Sequence, residues 1–477
     1  MKGGSVRVAP GRRALFITLV MLSASTALIS SLGAPLVTAV ALQEQVPLVW
    51  AQWVQTAPLL VGAVISPIVG RLGGGTRRRP VLLACLGLVA LGCLLSALPL
   101  GFAGLLVGRV LQGFGIGVLP LAMAAARDAA PPERLPQLLG VLSVSNLTFA
   151  GLGYPTTSLL ATLWGVRGAF WFGLALTAVA LVLAVRTLPA SSHPDQQVDW
   201  LDGVVLAAGT LALMLAISQA SRWGWTSTPF VVLALSGLAL LGVWAVRAWG
   251  LPDPMVDLQQ AVRRGALGAN LVALLVGAGV YVLITLMVQL VQAPRESGGL
   301  ASSPLFAGLM LVPYAICGFG GNRVARRIAD RWGPERVLPL GSLAYLGAIL
   351  VFAVDRDGWL QIAVAMGIAG LGAGGTFAMI PVVVVRHVPA HDTSSALSAN
   401  QVVRFFGFAA GSALAATVLD ALSPGETLAP HAFTMAALVG AGLALASAVC
   451  AVITLPRRSP DPGVGVSAQP GPSLDTA

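Results

Sequence analysis

Lysine is nearly absent from this chain. Lys2 is the single lysine among 28 basic residues, so all the others are arginines. A Walker-type phosphate loop needs a lysine after a glycine-rich turn, and one residue alone precedes Lys2. The chain is therefore predicted to bind no nucleotide and not to act by itself as an ATP-driven pump. It also offers no lysine for a Schiff base inside a membrane.

Charged residues of both signs are scarce. They make up 10% of the chain, against about 25% of a soluble domain. Hydrophobic residues make up 56%, and the mean hydropathy is +0.86. This composition indicates an all-α polytopic membrane protein. The net charge of +10 could suggest a nucleic-acid partner, but the arginines lie in short clusters between apolar segments, so none is expected.

Cysteine and histidine are too few and too scattered to indicate a metal site. The four cysteines occur singly within apolar segments, at Cys85, Cys93, Cys317 and Cys450. They have neither disulfide nor zinc spacing and are expected to pack as small hydrophobic residues. His387 and His391 are four residues apart, but Pro389 lies between them in a turn. We expect no metal, no cofactor and, because no nucleophile–base pair is apparent, no enzymatic activity.

Long apolar segments fill most of the chain. A spanning helix needs about 20 apolar residues, and fourteen segments meet this criterion. They lie near residues 14–39, 48–70, 80–99, 102–126, 136–160, 168–188, 201–220, 228–247, 266–292, 303–322, 337–354, 358–385, 395–419 and 432–455. The basic N-terminus is similar to that of a signal peptide, but the first apolar stretch is too long for one. We interpret it as an uncleaved first helix.

The arginines test this count. If the N-terminus is cytoplasmic and the sides alternate, 22 basic residues fall in the cytoplasm and four on the other side: Arg167, Arg222, Arg295 and Arg356. This asymmetry is a strong positive-inside signal. It predicts a multi-pass protein of the cytoplasmic membrane, with an even number of spans and both termini in the cytoplasm.

Arg109 is the one charged residue between Pro80 and Ala126. A charge inside hydrocarbon is costly and usually faces a bundle interior or marks a pathway. Gln112 and Gly113 lie three and four residues further along and share its helix face. Two interpretations stand: a gating or proton-relay group beside a central cavity, or a structural residue that donates to backbone carbonyls of a neighbouring helix.

A faint internal repeat divides the chain. Turns rich in glycine and arginine follow the second and tenth spans, at residues 70–79 and 328–336. Two six-helix halves with two helices between them are the simplest arrangement, and such repeats place a substrate site at their interface. The predicted domains are residues 1–188 and 266–456 for the two bundles, 189–265 for a linker with two extra helices, and 457–477 for a disordered cytoplasmic tail.

Short motifs recur in order along nearly the whole chain. Their residues are Gly70, Arg78 and Arg79 after the second span, Arg109, Gln112, Gly113 and Gly117 in the fourth, Gly151, Gly153 and Pro155 in the fifth, Asp330, Arg331 and Gly333 after the tenth, and Arg404, Gly407 and Gly411 in the thirteenth. Together they resemble the major facilitator superfamily, in particular its fourteen-helix drug:proton antiporter branch. The paired glycines, Gly113 with Gly117 and Gly407 with Gly411, also form small-xxx-small faces on which helices pack closely.

The chain departs from the family pattern where acids are concerned. The loop motif normally carries an aspartate, and Gly74 occupies that position; Thr26 aligns with the acid that many relatives carry in the first helix. The glycine pair of the antiporter motif is Thr157-Ser158. No aspartate or glutamate lies inside a predicted span, although Asp128, Asp202 and Asp420 lie near span ends.

The resemblance implies a secondary active transporter that exports a small lipophilic compound, such as a drug or antibiotic, by alternating access. It also implies exchange for protons, so the expected partners are the substrate, protons and the lipid bilayer. The proton carrier is either an end-of-helix acid such as Asp128 or Asp202, or coupling differs from the family norm. A facilitator or importer on the same fold and a non-transporting membrane sensor remain alternatives.

Polar and aromatic residues inside the spans are candidates for the substrate pocket, because lipid-facing polar groups are costly. They are Thr26, Ser30, Gln55, Asn146, Tyr281, Gln289, Asn400, Arg404 and Phe405. Arg404 either meets an anionic or polarised substrate group or snorkels to the cytoplasmic interface. Since both embedded charges are positive, we expect neutral or anionic lipophilic substrates in preference to dications.

Overall fold

Helices provide all of the regular secondary structure in the described part of the chain. A computed structural model describes residues 10–33, 36–131, 133–189, 191, 194, 197–295, 298–423 and 429–455. The helices are α1 (Pro10–Ser31), α2 (Val37–Gln43), α3 (Leu48–Ala51), α4 (Trp53–Leu72), α5 (Arg78–Ala97), α6 (Gly101–Gln112), α7 (Val118–Ala129), α8 (Leu135–Thr187), α9 (Trp200–Trp223), α10 (Thr228–Gly250), α11 (Leu258–Ala261), α12 (Arg264–Gln292), α13 (Pro304–Leu309), α14 (Leu311–Trp332), α15 (Val337–Val354), α16 (Trp359–Arg386), α17 (Thr393–Ala421) and α18 (Pro430–Thr454). The predicted tail of residues 457–477 lies outside the described residues.

Thirteen helical segments of the described residues are long and apolar enough to cross a membrane. The predicted multi-pass, all-α architecture is therefore confirmed. One of the thirteen is α8, with 53 residues. At 1.5 Å per residue it would measure about 80 Å, far more than the roughly 30 Å of a hydrocarbon core.

Gly165 divides α8 into two arms. Its φ of 71° and ψ of 178° are not helical, and glycine adopts positive φ without the steric cost that a Cβ imposes. The predicted fifth and sixth spans coincide with the two arms. The count of fourteen spans stays a prediction that holds if each arm crosses the bilayer.

Two boundaries differ from those expected. The first span, predicted as one segment over residues 14–39, is wrong as a single helix, because α1 ends at Ser31 and α2 begins at Val37. Pro35 lies between them and disfavours a helical conformation at the preceding residue. The tenth span continues past the predicted residue 322, since α14 carries its arginines on a helical extension that ends at Trp332.

Packing brings the linker helices against both predicted halves. α9 and α10 pack on each other, and α9 also contacts α4 and α17. The halves meet where α4 contacts α17 and where α8 contacts α14 and α16. These contacts leave a space along the axis between the halves.

Glycines set how closely the helices of the second half approach. α12 and α17 pack against each other. A Cβ added at Gly407 would collide with the carbonyl oxygen of Leu274, and one at Gly411 with that of Ala278. The small-xxx-small face of α17 therefore lies directly against the backbone of α12, as glycine faces do in membranes.

Candidate functional site

Arg109 lies inside the first half, and each of its three guanidinium nitrogens donates at least one hydrogen bond. Its side chain is fully buried. Nε donates to the Val54 carbonyl at 2.6 Å, and both terminal nitrogens donate to the Ile29 carbonyl at 3.3 Å. Nη1 also donates to Oε1 of Gln112 at 2.5 Å, and Gln112 donates to Ser96 at 3.2 Å.

The carbonyls that Arg109 binds are those that their own helices leave free. Pro58, four residues after Val54, has no N–H with which to close the helical bond. Ile29 lies in the last turn of α1, where carbonyls lack a helical donor. The contacts of Arg109 are thus those of the structural interpretation, in which it donates to backbone carbonyls of neighbouring helices. Its side chain does not line the central cavity.

The close approach of α4 to the fourth span makes this network possible. After α6 the chain forms a 3₁₀ turn over Gly113–Gly117 that packs on α4. A Cβ at Gly113 would lie 2.9 Å from the Pro58 carbonyl oxygen, and one at Gly117 2.8 Å from Cγ1 of Val69. These two motif glycines therefore serve packing in this structure.

A central cavity lies between the halves. Twenty residues line it, and they come from α1, α4, α8, α12, α14, α16, α17 and the 3₁₀ turn. Six of the nine predicted pocket residues are among them: Thr26, Ser30, Asn146, Tyr281, Arg404 and Phe405. Most of the lining is apolar, which is typical of small-molecule sites.

Three predicted pocket residues do not line the cavity. Asn400 donates to Asn270 at 2.8 Å, and this side-chain pair joins α17 to α12. Gln55 lies against Gly33, whose Cβ position is 3.0 Å from the Gln55 Cα. Gln289 is exposed on the surface of α12. All three lie on parts of their helices that do not line the cavity.

Arg404 faces the cavity and is surrounded by aromatic rings. Its Cζ lies 5.4 Å from the ring centroid of Phe377 and 5.9 Å from that of Phe408. Tyr281 stacks on Phe408 with centroids 4.4 Å apart. Because the guanidinium points into the cavity, the alternative of snorkelling to the interface does not describe its position.

Several cavity residues escaped the sequence reasoning, notably Ser143, Tyr154, Tyr314, Phe377, Gln401 and Phe408. One local signal could have found Phe408, which lies four residues after Arg404 and hence on the same helix face. The tyrosines offered another signal, since three of the four in the chain line the cavity. The other residues come from separate helices, and no local pattern connects them.

The halves are joined on the arginine-rich side, meaning the helix ends that carry Arg71 and Arg127. Arg127 donates to the carbonyls of Val388 and Pro389, each at 3.1 Å, and to Thr393 at 2.5 Å. Gly70 lies against α17, because a Cβ there would collide with Oγ of Ser398. Gln401 donates to the Ile116 carbonyl at 2.6 Å and closes the same side of the cavity.

A segment between α10 and α12, residues 251–262, crosses this junction, and we call it the strap. Arg71 forms an ion pair with Asp253 of the strap at 2.9 Å and reaches Asp392 of the second half at 3.5 Å. Met255 is fully buried. Its N–H donates to Asp202 at 2.8 Å, and its carbonyl accepts from Ser395 at 2.7 Å.

The other motif residues serve mainly in packing and helix-end contacts. Arg78 forms an ion pair with Asp128 and donates to the Gly73 carbonyl, and Arg79 donates to the Val185 carbonyl at 2.7 Å. Asp330 and Arg331 are exposed, and Gly333 has a φ of 90° at the end of α14.

The antiporter-motif residues of α8 lie at helix contacts. Gly151 lines the cavity against Ala315, while a Cβ at Gly153 would collide with Ser31. Pro155 lies against Gly308, whose Cβ position is 3.3 Å from the proline nitrogen. These residues set the spacing between α8 and the helices on either side of it.

Comparisons with known proteins agree with this architecture. The sequence profile of the Major Facilitator Superfamily matches residues 14–241 and 269–474. A multidrug resistance protein B homolog of Mycobacterium tuberculosis (strain CDC 1551 / Oshkosh) is 26% identical over 381 residues, which cover 77% of this chain and 68% of that protein. A uridine/deoxyuridine transporter of Lactococcus lactis subsp. cremoris (strain MG1363) is 27% identical over 338 residues, which cover 68% of this chain and 70% of that one.

A solved structure supports the same fold. The human organic anion transporter MFSD10 (TETRAN) superimposes with a TM-score of 0.65 at 18% identity, covering 93% of this chain and 100% of that one. At this level of identity the similarity concerns the fold alone.

Proposed function

The chain belongs to the major facilitator superfamily, and from this premise we propose that it exports a small lipophilic compound by alternating access in exchange for protons. The family makes it a secondary transporter of a small molecule and not an enzyme. The direction of transport, its coupling to protons and the class of substrate are what we propose. The observation that carries it is the largely apolar cavity between the two halves.

The cavity has the lining that a lipophilic substrate requires, because small-molecule sites are predominantly apolar with a few polar groups. Leucine, isoleucine and aromatic side chains predominate in its walls. This lining favours a drug-like compound over a nucleoside, whose sugar hydroxyls need several free polar partners.

The contacts between the halves supply the elements that alternating access needs. Arg127, Gly70 and Gln401 join the halves on the arginine-rich side. We assign this side to the cytoplasm from the distribution of arginines, so the structure corresponds to a state closed toward the cytoplasm. For export, these contacts must break so that the cavity opens to the cytoplasm and binds the substrate. They must reform before the substrate is released on the other side.

Asp202 is the better of the two predicted proton carriers. Asp128 is held in an ion pair with Arg78. Asp202 is fully buried, and its Oδ1 has no hydrogen-bond partner among the described residues. Its other oxygen accepts a hydrogen bond from the N–H of Met255 in the strap. Binding of a proton to this carboxyl therefore changes a contact at the junction between the halves.

A resistance and transport assay tests the proposal. Cells that express the protein are expected to tolerate higher concentrations of at least one lipophilic antibiotic from a panel of neutral, anionic and cationic compounds. Everted vesicles should accumulate that compound, and a protonophore should abolish the accumulation. Accumulation that persists without a proton gradient would contradict proton coupling, while movement that never exceeds equilibrium would indicate a facilitator.

Substitution of the two acids separates the possible carriers. Asp202→Asn should abolish uphill accumulation and leave exchange at equilibrium, because exchange needs no net proton transfer. Asp128→Asn should retain uphill accumulation at the level that its expression allows. The reverse result would assign the carrier to Asp128, and full accumulation in both variants would place coupling elsewhere.

A further inference from the structure

The guanidinium of Arg404 lies in the central cavity without a counter-ion among the described residues. None of the twenty lining residues is acidic. The Nε atom is buried and has no hydrogen-bond partner among the described residues. Buried charges in proteins are normally paired, since an unpaired one is strongly destabilising.

The neighbouring aromatic rings do not replace this counter-ion. Phe377 and Phe408 lie within 6 Å of the guanidinium carbon. The attraction of a cation to each ring is weaker than the desolvation penalty of an unpaired ion. A ligand that displaces water from the cavity must therefore satisfy the charge itself.

Two further unpartnered polar atoms in the cavity walls belong to hydroxyl groups. They are Oγ of Ser143 and the hydroxyl of Tyr314, both buried without a partner among the described residues. Each can donate a proton to an acceptor. With Nε of Arg404 they form a set of three free donors from α8, α14 and α17.

Three of the other polar side chains of the cavity are already engaged with the backbone. Thr26 donates to the carbonyls of Leu22 and Gly115, Asn146 to that of Ser23, and Gln401 to that of Ile116. The groups left for a ligand are thus a cation and hydroxyls, since the hydroxyls of Ser30, Tyr154 and Tyr281 also line the cavity. An acceptor-rich, negatively charged group is the complement of this set.

The aromatic side chains indicate the shape of the rest of the ligand. Tyr281, Phe405 and Phe377 all pack against Phe408, with centroid distances of 4.4, 5.7 and 6.3 Å. Such a wall accommodates a planar ring by stacking or edge contact. Because Arg404 lies over two of these rings, the ring and the acid group of a ligand must be close neighbours.

We propose that the central cavity binds a small aromatic monoanion, whose carboxylate or sulfonate is the counter-ion of Arg404 and whose ring packs on Phe377 and Phe408. This inference rests on the proposed function for the role of the cavity as substrate site. It narrows the substrate class, since neutral and cationic compounds of the same shape bind less tightly.

Three naphthalene probes of one shape and different charge test the proposal: naphthoate, naphthamide and naphthylmethylammonium. Binding is measured by equilibrium dialysis on protein in nanodiscs, without a proton gradient. The wild type should bind naphthoate about tenfold or more tightly than naphthamide, because a hydrogen bond to a charged group contributes about 1.5–3 kcal/mol. The ammonium probe should bind more weakly still.

Four variants attribute this preference to the cavity. Arg404→Gln should lose the preference for naphthoate while naphthamide affinity changes less than about threefold, and Arg404→Lys should retain part of it. Tyr314→Phe should weaken naphthoate by about fivefold, the effect of one lost hydrogen bond. Arg295→Gln removes a positive charge from an exposed site outside the cavity and should leave all three affinities unchanged.

Three results would overturn the proposal. They are naphthylmethylammonium binding as tight as that of naphthoate, a preference for naphthoate that survives Arg404→Gln, and no naphthoate binding by the wild type up to millimolar concentration. Should Arg404→Gln fail to fold, Arg404→Lys and Tyr314→Phe carry the test. Charge-selective binding without transport of naphthoate in proteoliposomes would refute the proposed function and leave the anion site standing.

Discussion

Two arginines lie within the membrane spans, and their surroundings give them different roles. Arg109 is surrounded by carbonyl and amide oxygens within hydrogen-bond distance. Arg404 is surrounded by aromatic rings and open cavity. The first charge is therefore satisfied by the fold, whereas the second is available to a ligand.

Arg109→Met is predicted to destabilise the protein without changing its ligand preference. The substitution leaves the carbonyls of Val54 and Ile29 buried without a donor, which costs about 1–3 kcal/mol for each group. The measurement is thermal unfolding in detergent, with Arg336→Gln, an exposed arginine, as the control. The naphthoate-to-naphthamide affinity ratio of the folded fraction should equal that of the wild type.

A different result would restore the gating interpretation of Arg109. That result is a wild-type unfolding temperature together with a loss of transport. Gln112→Glu offers an independent check, because it gives Arg109 a formal counter-ion at its present hydrogen-bond position. A structural role predicts that this variant still folds and transports.

At the scale of elements, the strap is the segment whose importance the sequence did not reveal. Its sequence, Leu251 to Val262, follows α10 and contains Pro252 and Pro254, a composition typical of a connecting loop. In the structure it contacts the first half through Arg71, the linker through Asp202 and the second half through Ser395. Gly74 occupies the position of the usual acid of the loop motif. This fits the arrangement, because the acids that pair with Arg71 are Asp253 and Asp392.

Weakening the strap is predicted to open the cytoplasmic side of the cavity. In a variant without native cysteines, Ser143→Cys reports access to the cavity through its labelling rate with a charged maleimide. Asp253→Asn should raise the rate from the cytoplasmic side by about twofold to fivefold, since Asp253 is half exposed and such ion pairs contribute about 1 kcal/mol or less. Met255→Ala should have a larger effect, because it removes a fully buried side chain.

The control for the strap experiment lies within the same segment. Gln259 is exposed and donates to the Trp249 carbonyl, so Gln259→Ala should leave the labelling rate unchanged. Equal labelling rates in Asp253→Asn, Met255→Ala and the parent protein would show that the strap does not hold the halves together.

At the scale of the whole molecule, the orientation in the membrane depends on the division of α8 at Gly165. If both arms cross the bilayer, the turn at Gly165 lies outside the cell and the turn at Arg78 lies in the cytoplasm. One continuous crossing by α8 would place every later arginine cluster on the opposite side. The asymmetry of 22 basic residues to four would then be lost.

Labelling of whole cells is predicted to follow this topology. With the native cysteines replaced, Trp164→Cys should react with a membrane-impermeant maleimide from outside, because Trp164 is exposed beside Gly165. Thr76→Cys should react after the cells are permeabilised. External labelling at Thr76→Cys would overturn the orientation and, with it, the direction proposed for transport.

The sequence predicted the membrane class, the all-α architecture and the turn between the third and fourth spans, and six of the nine residues that it proposed for the pocket line the cavity. Each of these follows from hydropathy or from side-chain polarity, which are local properties of the chain. Gln55, Gln289 and Asn400 do not line the cavity, because polarity inside a span does not say which way a helix face turns.

Hydropathy alone therefore determined that this protein spans a membrane many times, and the placement of the arginines predicts which side of the membrane carries them. The tertiary structure decided which embedded arginine is satisfied, which hydroxyls are left free, and that the strap joins both halves. The physical reason is that hydrogen-bond satisfaction is a property of contacts between distant helices. Val54 and Arg109 are 55 residues apart, and Arg71 and Asp392 are 321 apart, so no local pattern in the sequence records their meeting.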